Sequence, residues 1–234
     1  MKAKLLLLGA LLCAGVNVFA HAIWIETSSK GTKGKQQNVQ IYFGEYAENE
    51  RDSTAKWFSN LRDIQLYLIA PDGTKQKLDT HAETDHMAAA FTPAKEGTYT
   101  LAVSHTVADI YAESKIEYYT TAAVFVNSKE TKALQAATAL AVQPDVAAAS
   151  VGKPVALNVW YNQSGVDNAK VVISSPGGWQ KTVHSDAKGA ASFVPDVKGL
   201  YQVEAIRVDK TPGTHNGKAY KSVTHLVTYC VNAQ

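Results

Sequence analysis

The stretch DAKGAASF, residues 186–193, followed by KGLYQVEA, residues 198–205, indicates most directly how this chain folds. Each segment opens with a turn that contains Lys and Gly, and then continues into a short run rich in apolar side chains. Alternation of apolar and polar residues is typical of strands with one buried face, and Gly, Asp and Pro mark the turns between them. The stretch therefore predicts two short strands of an all-β domain.

The same rhythm extends through the second half of the chain. VGKPVALNVWYN, residues 151–162, and AKVVISSPGGW, residues 169–179, are further short apolar runs bounded by Gly, Pro and Asn. Several short strands at this spacing are typical of a small β-sandwich. We expect the second half to be an immunoglobulin-like or transthyretin-like sandwich.

The first half predicts a second sandwich. The APDG sequence at 70–73 is a β-turn that closes a hairpin. Seven strands at such spacing favour a sandwich over an open sheet. They are predicted near 22–27, 38–43, 63–69, 75–79, 86–91, 98–105 and 117–126.

The first twenty residues have the composition of a secretory signal peptide. Lys2 and Lys4 form a positive start, residues 5–16 form an apolar run, and small residues precede the cleavage point. We expect cleavage directly before His21, with a cut after Ala22 as the alternative. The apolar run is too short to span a bilayer, so we expect a periplasmic or secreted protein without membrane insertion.

The domain organisation follows from these elements. Residues 1–20 are predicted as the signal peptide, 21–127 as the first β-sandwich and 144–234 as the second. The Ala-rich segment 128–143 lacks alternation and is predicted as a linker, with at most a helical turn or two.

Charge and cysteine content exclude several classes of function. The chain has 23 basic and 21 acidic residues, and loss of Lys2 and Lys4 leaves 21 of each. A chain with no net charge and no basic stripe is not expected to bind nucleic acid or an anionic membrane. Cys230 is the only cysteine after cleavage, so no intramolecular disulfide is expected.

Four segments together resemble a known family. They are HAIWIE at 21–26, VQIYFGEYAENER at 39–51, SSPGGWQKTVHSDAKGAASF at 174–193 and TPGTHNGKAYKSVTHLVTY at 211–229. They are similar to a bacterial secreted family catalogued as domain of unknown function 4198, which is often described as a periplasmic nickel-uptake accessory protein. The resemblance implies handling of a divalent metal ion in the periplasm, with a membrane metal transporter as a partner.

His21 is the first candidate ligand. As the first residue of a cleaved chain, it would offer an α-amine and an imidazole Nδ1 that can chelate one ion. Such nitrogen donors suit Cu(II), Ni(II) and Zn(II) better than Ca(II) or Mg(II). The alternative is that cleavage falls before a histidine by chance.

Strand counting brings further candidates to the same end of the first sandwich. If the seven strands alternate in direction, the start of the first strand lies beside the end of the second and the start of the fifth. The end of the sixth strand lies there as well. Glu45, His86 and His105 occupy these places, so we predict a metal site formed by them with His21.

Each candidate also has a structural interpretation. His105 could donate a hydrogen bond at the rim of the core, His86 could be solvated, and Glu45 could pair with Arg51 or Arg62. The acidic ENERD run at 48–52 is interpreted as a solvated loop. A histidine at 225 shares a face with valines and is interpreted as a core or edge residue.

Three functional hypotheses remain from the sequence. The favoured one is a non-enzymatic periplasmic protein that binds nickel, copper or a related divalent ion and assists its uptake or handling. The second is a histidine-brace copper enzyme, and the third is an adhesive or scaffolding sandwich without a metal. The nucleophile, zinc-protease and phosphate-loop motifs are absent from the sequence, so an enzyme is not favoured.

Overall fold

The computed structural model describes residues 21–130, 137–146 and 148–234, and these form an all-β protein. The predicted signal peptide and residues 131–136 of the predicted linker lie outside them. None of the helices among the described residues is long and apolar enough to cross a membrane. The described strands are β1 Ala22–Thr27, β2 Gln37–Gly44, β3 Leu66–Ile69, β4 Lys75–Leu78, β5 His81–Ala82, β6 Met87–Phe91, β7 Gly97–Thr106, β8 Ser114–Val126, β9 Leu140–Pro144, β10 Val155–Tyr161, β11 Ser164–Gly165, β12 Lys170–Ser174, β13 Gln180–His184, β14 Ala190–Phe193, β15 Gly199–Asp209, β16 Gly213–His215, β17 Lys218–Tyr220 and β18 Ser222–Ala233. Two short 3₁₀ turns, Thr54–Lys56 and Leu61–Asp63, lie between β2 and β3.

The predicted all-β sandwich fold is confirmed. The seven strands predicted in the first half correspond to β1–β4 and β6–β8, with ends that differ by a few residues. The predicted turn at 70–73 closes the β3–β4 hairpin, since the Gly73 amide donates to the Ala70 carbonyl at 2.9 Å.

One eight-stranded sheet runs through both halves of the chain, residues 21–130 and 137–234. Its strand order is β13-β12-β15-β18-β8-β7-β3-β4. The halves meet where β8 pairs in parallel with β18, with residues 114–121 beside residues 222–229. All other neighbours in this sheet are antiparallel.

The two faces of this shared sheet carry two separate cores. Tyr118 of β8 and Leu226 of β18 point to what we term the front face, where they pack with β1, β2 and β6. Tyr119 and Val227 point to the back face, where they pack with β9, β10 and β14. Successive residues of a strand point to opposite faces, so the two smaller sheets cover opposite sides of one larger sheet.

The sequence of β8 explains its central position. The strand reads SKIEYYTTAAVFV and is buried on both faces from Tyr118 to Val126. A strand with only one buried face shows polar residues at every second position, whereas a strand covered on both sides reads as a continuous run of apolar and threonine residues.

Hydrogen bonds attach β1 to the front face near the junction of the halves. The buried Thr228 hydroxyl donates to the Ile23 carbonyl at 2.7 Å and also bonds Thr120 at 2.9 Å. The Tyr118 hydroxyl donates to the His21 carbonyl at 3.0 Å. These bonds hold the start of β1 in a fixed position above β8 and β18.

The structure places the end of the predicted linker in a strand. From Leu140 onward the chain forms β9, which pairs antiparallel with β10 and buries Leu140 and Val142 in the second core. The domain boundary near residue 128 stays a prediction. The shared sheet shows that the two sandwiches are joined by strand pairing as well as by chain connection.

Candidate functional site: a histidine and carboxylate group at the start of β1

The start of β1 and the end of β2 lie side by side. Ala22 pairs with Gly44 in the antiparallel register, so His21 and Glu45 follow at the same end of this pair. The His21 side chain is 42% exposed, and its ring lies 5.4 Å from that of Phe43. His21 is therefore fixed through its backbone, while its imidazole remains accessible to a ligand.

The loop after β2 folds back toward His21. The Glu50 amide donates to the Glu45 carbonyl at 3.0 Å, and the Asp52 amide donates to the Phe43 carbonyl at 2.9 Å. A Cβ atom on Gly44 would lie 2.3 Å from the Glu50 carbonyl oxygen, a distance that no side chain tolerates. Glycine at position 44 thus permits the close approach that brings two carboxylates beside His21.

His21, Glu50 and Asp52 together form what we term the donor group. Each offers one ligand atom, and these atoms all lie within 4.8 Å of one another. His21 Nε2 is 3.8 Å from Asp52 Oδ2. Two ligands at about 2.0–2.2 Å from one ion can be separated by at most about 4.4 Å, so small side-chain rotations suffice for all three to share an ion. In the described ranges this is the one such group found.

Glu45 lies at the edge of the donor group with an unsatisfied oxygen. Its Oε2 atom is buried and has no hydrogen-bond partner among the described residues. Burial raises the pKa of Glu45, the positive charge of His21 opposes that shift, and Glu48 and Glu50 add to it. A buried carboxylate oxygen without a donor fits a nearby cation, because an unpaired buried charge is costly.

A carboxyl group from the second half faces the same region. Glu204 of β15 pairs with Thr228 of β18, whose hydroxyl bonds β1, so Glu204 also points to the front face. Burial and the neighbouring negative charge of Glu45 raise the pKa of Glu204 to about 8, and Lys170 opposes the shift. At neutral pH Glu204 is therefore mainly protonated.

We expect the Glu204→Gln variant to be more stable than the parent protein above pH 8. In the folded protein the Glu204 carboxyl keeps its proton up to about pH 8, whereas in the unfolded chain it loses the proton near pH 4.5. The free energy of unfolding therefore falls as the pH rises between these two values. The amide removes this penalty, at most about 5 kcal/mol well above pH 8, and the two proteins should converge below about pH 4. Urea unfolding with EDTA present measures the difference across pH.

The exposed Asp79→Asn variant is the control for this measurement. It removes an exposed carboxylate that follows β4, five strands away from β15 in the shared sheet, and should not reproduce the gain in stability of Glu204→Gln. A Glu204→Gln difference that stays constant between pH 4 and pH 9 would contradict the expected titration of Glu204.

His86 is at the predicted end of the sandwich but is engaged elsewhere. Its Nδ1 lies 2.7 Å from Asp85 Oδ1, its Nε2 lies 3.3 Å from Gln40 Nε2, and its ring packs 5.2 Å from that of Tyr42. With Nδ1–H donating to Asp85, Nε2 accepts from Gln40. The structure does not bring this histidine into the donor group.

His105 is also at the predicted end, because it pairs with Tyr118, which bonds His21. It is buried, and its Nε2–H donates to Asn60 Oδ1 at 3.1 Å. Burial lowers the pKa of His105, with Asp63 and Glu117 opposing the shift. Its contacts are those of a histidine at the rim of the core, and it does not join the donor group.

Sequence reasoning missed Glu50 and Asp52, which it assigned to a solvated loop. The acidic density of residues 48–52 was the available signal, but strand counting gives the position of strand ends only. The path of a loop depends on close contacts such as that between Gly44 and the Glu50 carbonyl.

A second polar cluster lies on the back face and is fully engaged. The buried His225 has Nδ1 3.1 Å from the Tyr119 hydroxyl and Nε2 3.3 Å from Asp209 Oδ2. The Tyr161 hydroxyl donates to the same Asp209 oxygen at 3.1 Å. Burial lowers the pKa of His225, and Asp209 opposes the shift. This arrangement satisfies a histidine within the core.

Fold and geometry together define an all-β sandwich protein with a histidine and carboxylate group at the start of its first strand. The chain belongs to the family described as "Domain of unknown function (DUF4198)", whose model matches residues 18–209. No curated protein matches the sequence.

Three of the solved structures that match this chain are 10–15% identical to it. A DUF4785 family protein from Legionella pneumophila is 12% identical with a TM-score of 0.32, over 77% of this chain and 52% of that one. This chain thus spans about half the length of the Legionella protein. A segment of two fibronectin type-III domains from chicken tenascin is 15% identical with a TM-score of 0.25, over 86% of this chain and 95% of that one. A marsupial T cell receptor is 10% identical with a TM-score of 0.27, over 92% and 74% of the respective chains.

Proposed function

We propose that the protein binds a divalent transition-metal ion as cargo in the periplasm and assists its uptake or handling. The observation that supports this function best is the donor group, in which one imidazole and two carboxylates lie within reach of one ion. The buried, unpaired oxygen of Glu45 beside this group is the second support.

The chemistry of the donors favours nickel, copper or zinc. Imidazole nitrogen suits these ions, whereas sites for calcium and magnesium are built from oxygen ligands. If cleavage falls directly before His21, its α-amine and its imidazole Nδ1 can chelate the ion, and the ring then turns so that Nδ1 faces the carboxylates in place of the Nε2 that lies 3.8 Å from Asp52 Oδ2. The proposed site then contains two nitrogen and two carboxylate donors, which is enough for a four-coordinate ion.

The contacts of the histidines favour a metal-binding protein over an oxygen-activating enzyme with a histidine brace. A brace needs a second imidazole on the ion, and the donor group contains only His21. The nitrogens of His86 face Asp85 and Gln40, and Nε2 of His105 faces Asn60. We therefore propose a binding protein that acts with a membrane metal transporter, and not an enzyme.

Metal titration of protein that begins at His21 tests this function. We expect Ni(II), Cu(II) or Zn(II) to bind at one site, and Glu50→Gln and Asp52→Asn each to weaken binding roughly 10- to 100-fold by removing a charged donor. Competition against a chromophoric chelator gives the affinities. The exposed Asp79→Asn variant is the matched control and should bind as the parent does.

Two outcomes would count against the proposed function. One is the absence of binding to correctly processed protein by all three ions. The other is binding that Glu50→Gln and Asp52→Asn leave unchanged, which would move the ion away from the donor group.

A further inference from the structure

A cleft of about 350 Å³ lies between the two halves and shares one residue, Glu50, with the donor group. Its volume is that of a small-molecule site. The residues that line it include Trp24, Tyr46, Glu50 and Arg51 from the first half, and Pro176 and Gly178 from the second.

Glu50 belongs both to the cleft wall and to the donor group. An ion held by the donor group would therefore border the cleft. The three side chains of the donor group do not fill the coordination sphere of Ni(II) or Cu(II), and a tetragonal geometry leaves positions open even when the His21 α-amine also binds. A small molecule in the cleft could occupy the remaining positions on the ion.

The position of the cleft is fixed by contacts between the halves. The Tyr46 hydroxyl donates to the Leu200 carbonyl of β15, which anchors the loop after β2 to the second half. Opposite it, the Gly178 amide donates to the Ser175 carbonyl at 3.0 Å and closes the turn that forms the other wall. One wall is thus held by a hydrogen bond between the halves, and the other by a hydrogen bond within a turn.

Charge restricts which small molecule fits. Glu50 is on the wall, and Glu45 and Asp52 lie close by. Arg51 is already paired with Glu26 at 2.9 Å and lies 4.7 Å from the centre of the Tyr42 ring. A chelator with several carboxylates would be repelled, whereas one with an amine and a single carboxylate gives a metal complex that is neutral or positive.

We propose that the protein takes its ion as a complex with a small amino-acid chelator, whose body occupies this cleft. This inference rests on the proposed function and names the form of its cargo. The Trp24 ring is buried and already stacks on that of Tyr42, with the Tyr46 ring against its edge, so the rings do not select the side chain of the chelator. L-Histidine serves as the representative amino-acid chelator in the test.

Retention of labelled L-histidine in the presence and absence of Ni(II) tests the inference. We expect the parent protein to retain L-histidine only when Ni(II) is present, and to retain no labelled citrate under the same conditions. In Ala47→Trp the new ring fills the cleft, so L-histidine retention should fall by at least about tenfold while affinity for Ni(II) alone changes less than about twofold.

Two further variants distinguish filling of the cleft from misfolding and from a general effect of the added ring. Pro176→Trp fills the cleft from the exposed opposite wall and should repeat the loss if Ala47→Trp disturbs folding. Val194→Trp places the same ring on a residue that is 49% exposed and does not line the cleft, and should behave as the parent does.

The outcomes separate this inference from the proposed function. If L-histidine only strips Ni(II) from the parent, or if citrate is retained equally, the inference is wrong and the metal-binding function stands. If both cleft-filling variants retain L-histidine as the parent does, the ligand is not in the cleft. If neither Ni(II) nor its L-histidine complex binds, both proposals fail.

Discussion

Protein with one extra residue before His21 is expected to bind Cu(II) and Ni(II) roughly 10- to 100-fold more weakly than protein that begins with His21. The added residue converts the α-amine of His21 into an amide, which is not a comparable ligand at neutral pH. The imidazole and both carboxylates remain in place, so the loss measures the amine alone. Competition titration of the two proteins side by side gives the ratio.

The contacts of His21 allow the loss of the amine ligand to be separated from an effect on folding. Its carbonyl accepts a hydrogen bond from Tyr118, and its side chain is 42% exposed, so an added residue displaces no described contact. The extended and parent proteins should therefore unfold at the same temperature without metal. His21→Ala should weaken binding at least as much, because it removes the imidazole. Equal affinity of the extended and parent proteins would show that the amine is not a ligand.

The two halves are expected not to fold when they are produced separately. A protein of residues 21–130 would expose β8 along the edge that pairs with β18, and its Tyr119 would lose the second core. A protein of residues 137–234 would expose the matching edge of β18, and Leu226 would lose the first core. An unpaired, apolar central strand favours aggregation over an isolated fold.

Co-production of the two segments tests this expectation. We expect each alone to give a poorly dispersed amide NMR spectrum, and the two together to form a stable one-to-one complex with the spectrum of the intact protein. Cooperative unfolding of either segment alone would instead support two independent domains, as the sequence predicted.

Strand positions in the first half were predictable because each of those strands carries a local signal. Alternation, a nearby turn and the Gly at 73 are all within a few residues of the strands they define. The pairing of β8 with β18 joins residues more than a hundred positions apart, and no local pattern encodes it. The unbroken run of apolar and threonine residues from Tyr118 to Val126 was the available sign that β8 lies between two layers.

The candidate site was also predictable only in part, because strand ends carry a local signal and side-chain contacts do not. Strand direction placed His21, Glu45, His86 and His105 at one end of the sandwich, and the structure shows them there. Which of them meet depends on side-chain partners, such as Asn60 for His105 and Asp85 for His86. The carboxylates nearest to His21 come from a loop whose course is set by tight backbone contacts, which strand counting does not describe.

The parallel pairing of β8 with β18 also determines the order in which the chain can fold. β8 pairs with β7 nearby in the chain, but it acquires its second neighbour only when β18, more than a hundred positions further on, is available. Contacts between residues so distant in sequence slow folding, because the intervening loop must close before they form. A chain synthesised from its N-terminus therefore carries β8 with one edge unpaired until β18 has been made, and complete folding of the first half is disfavoured during that interval.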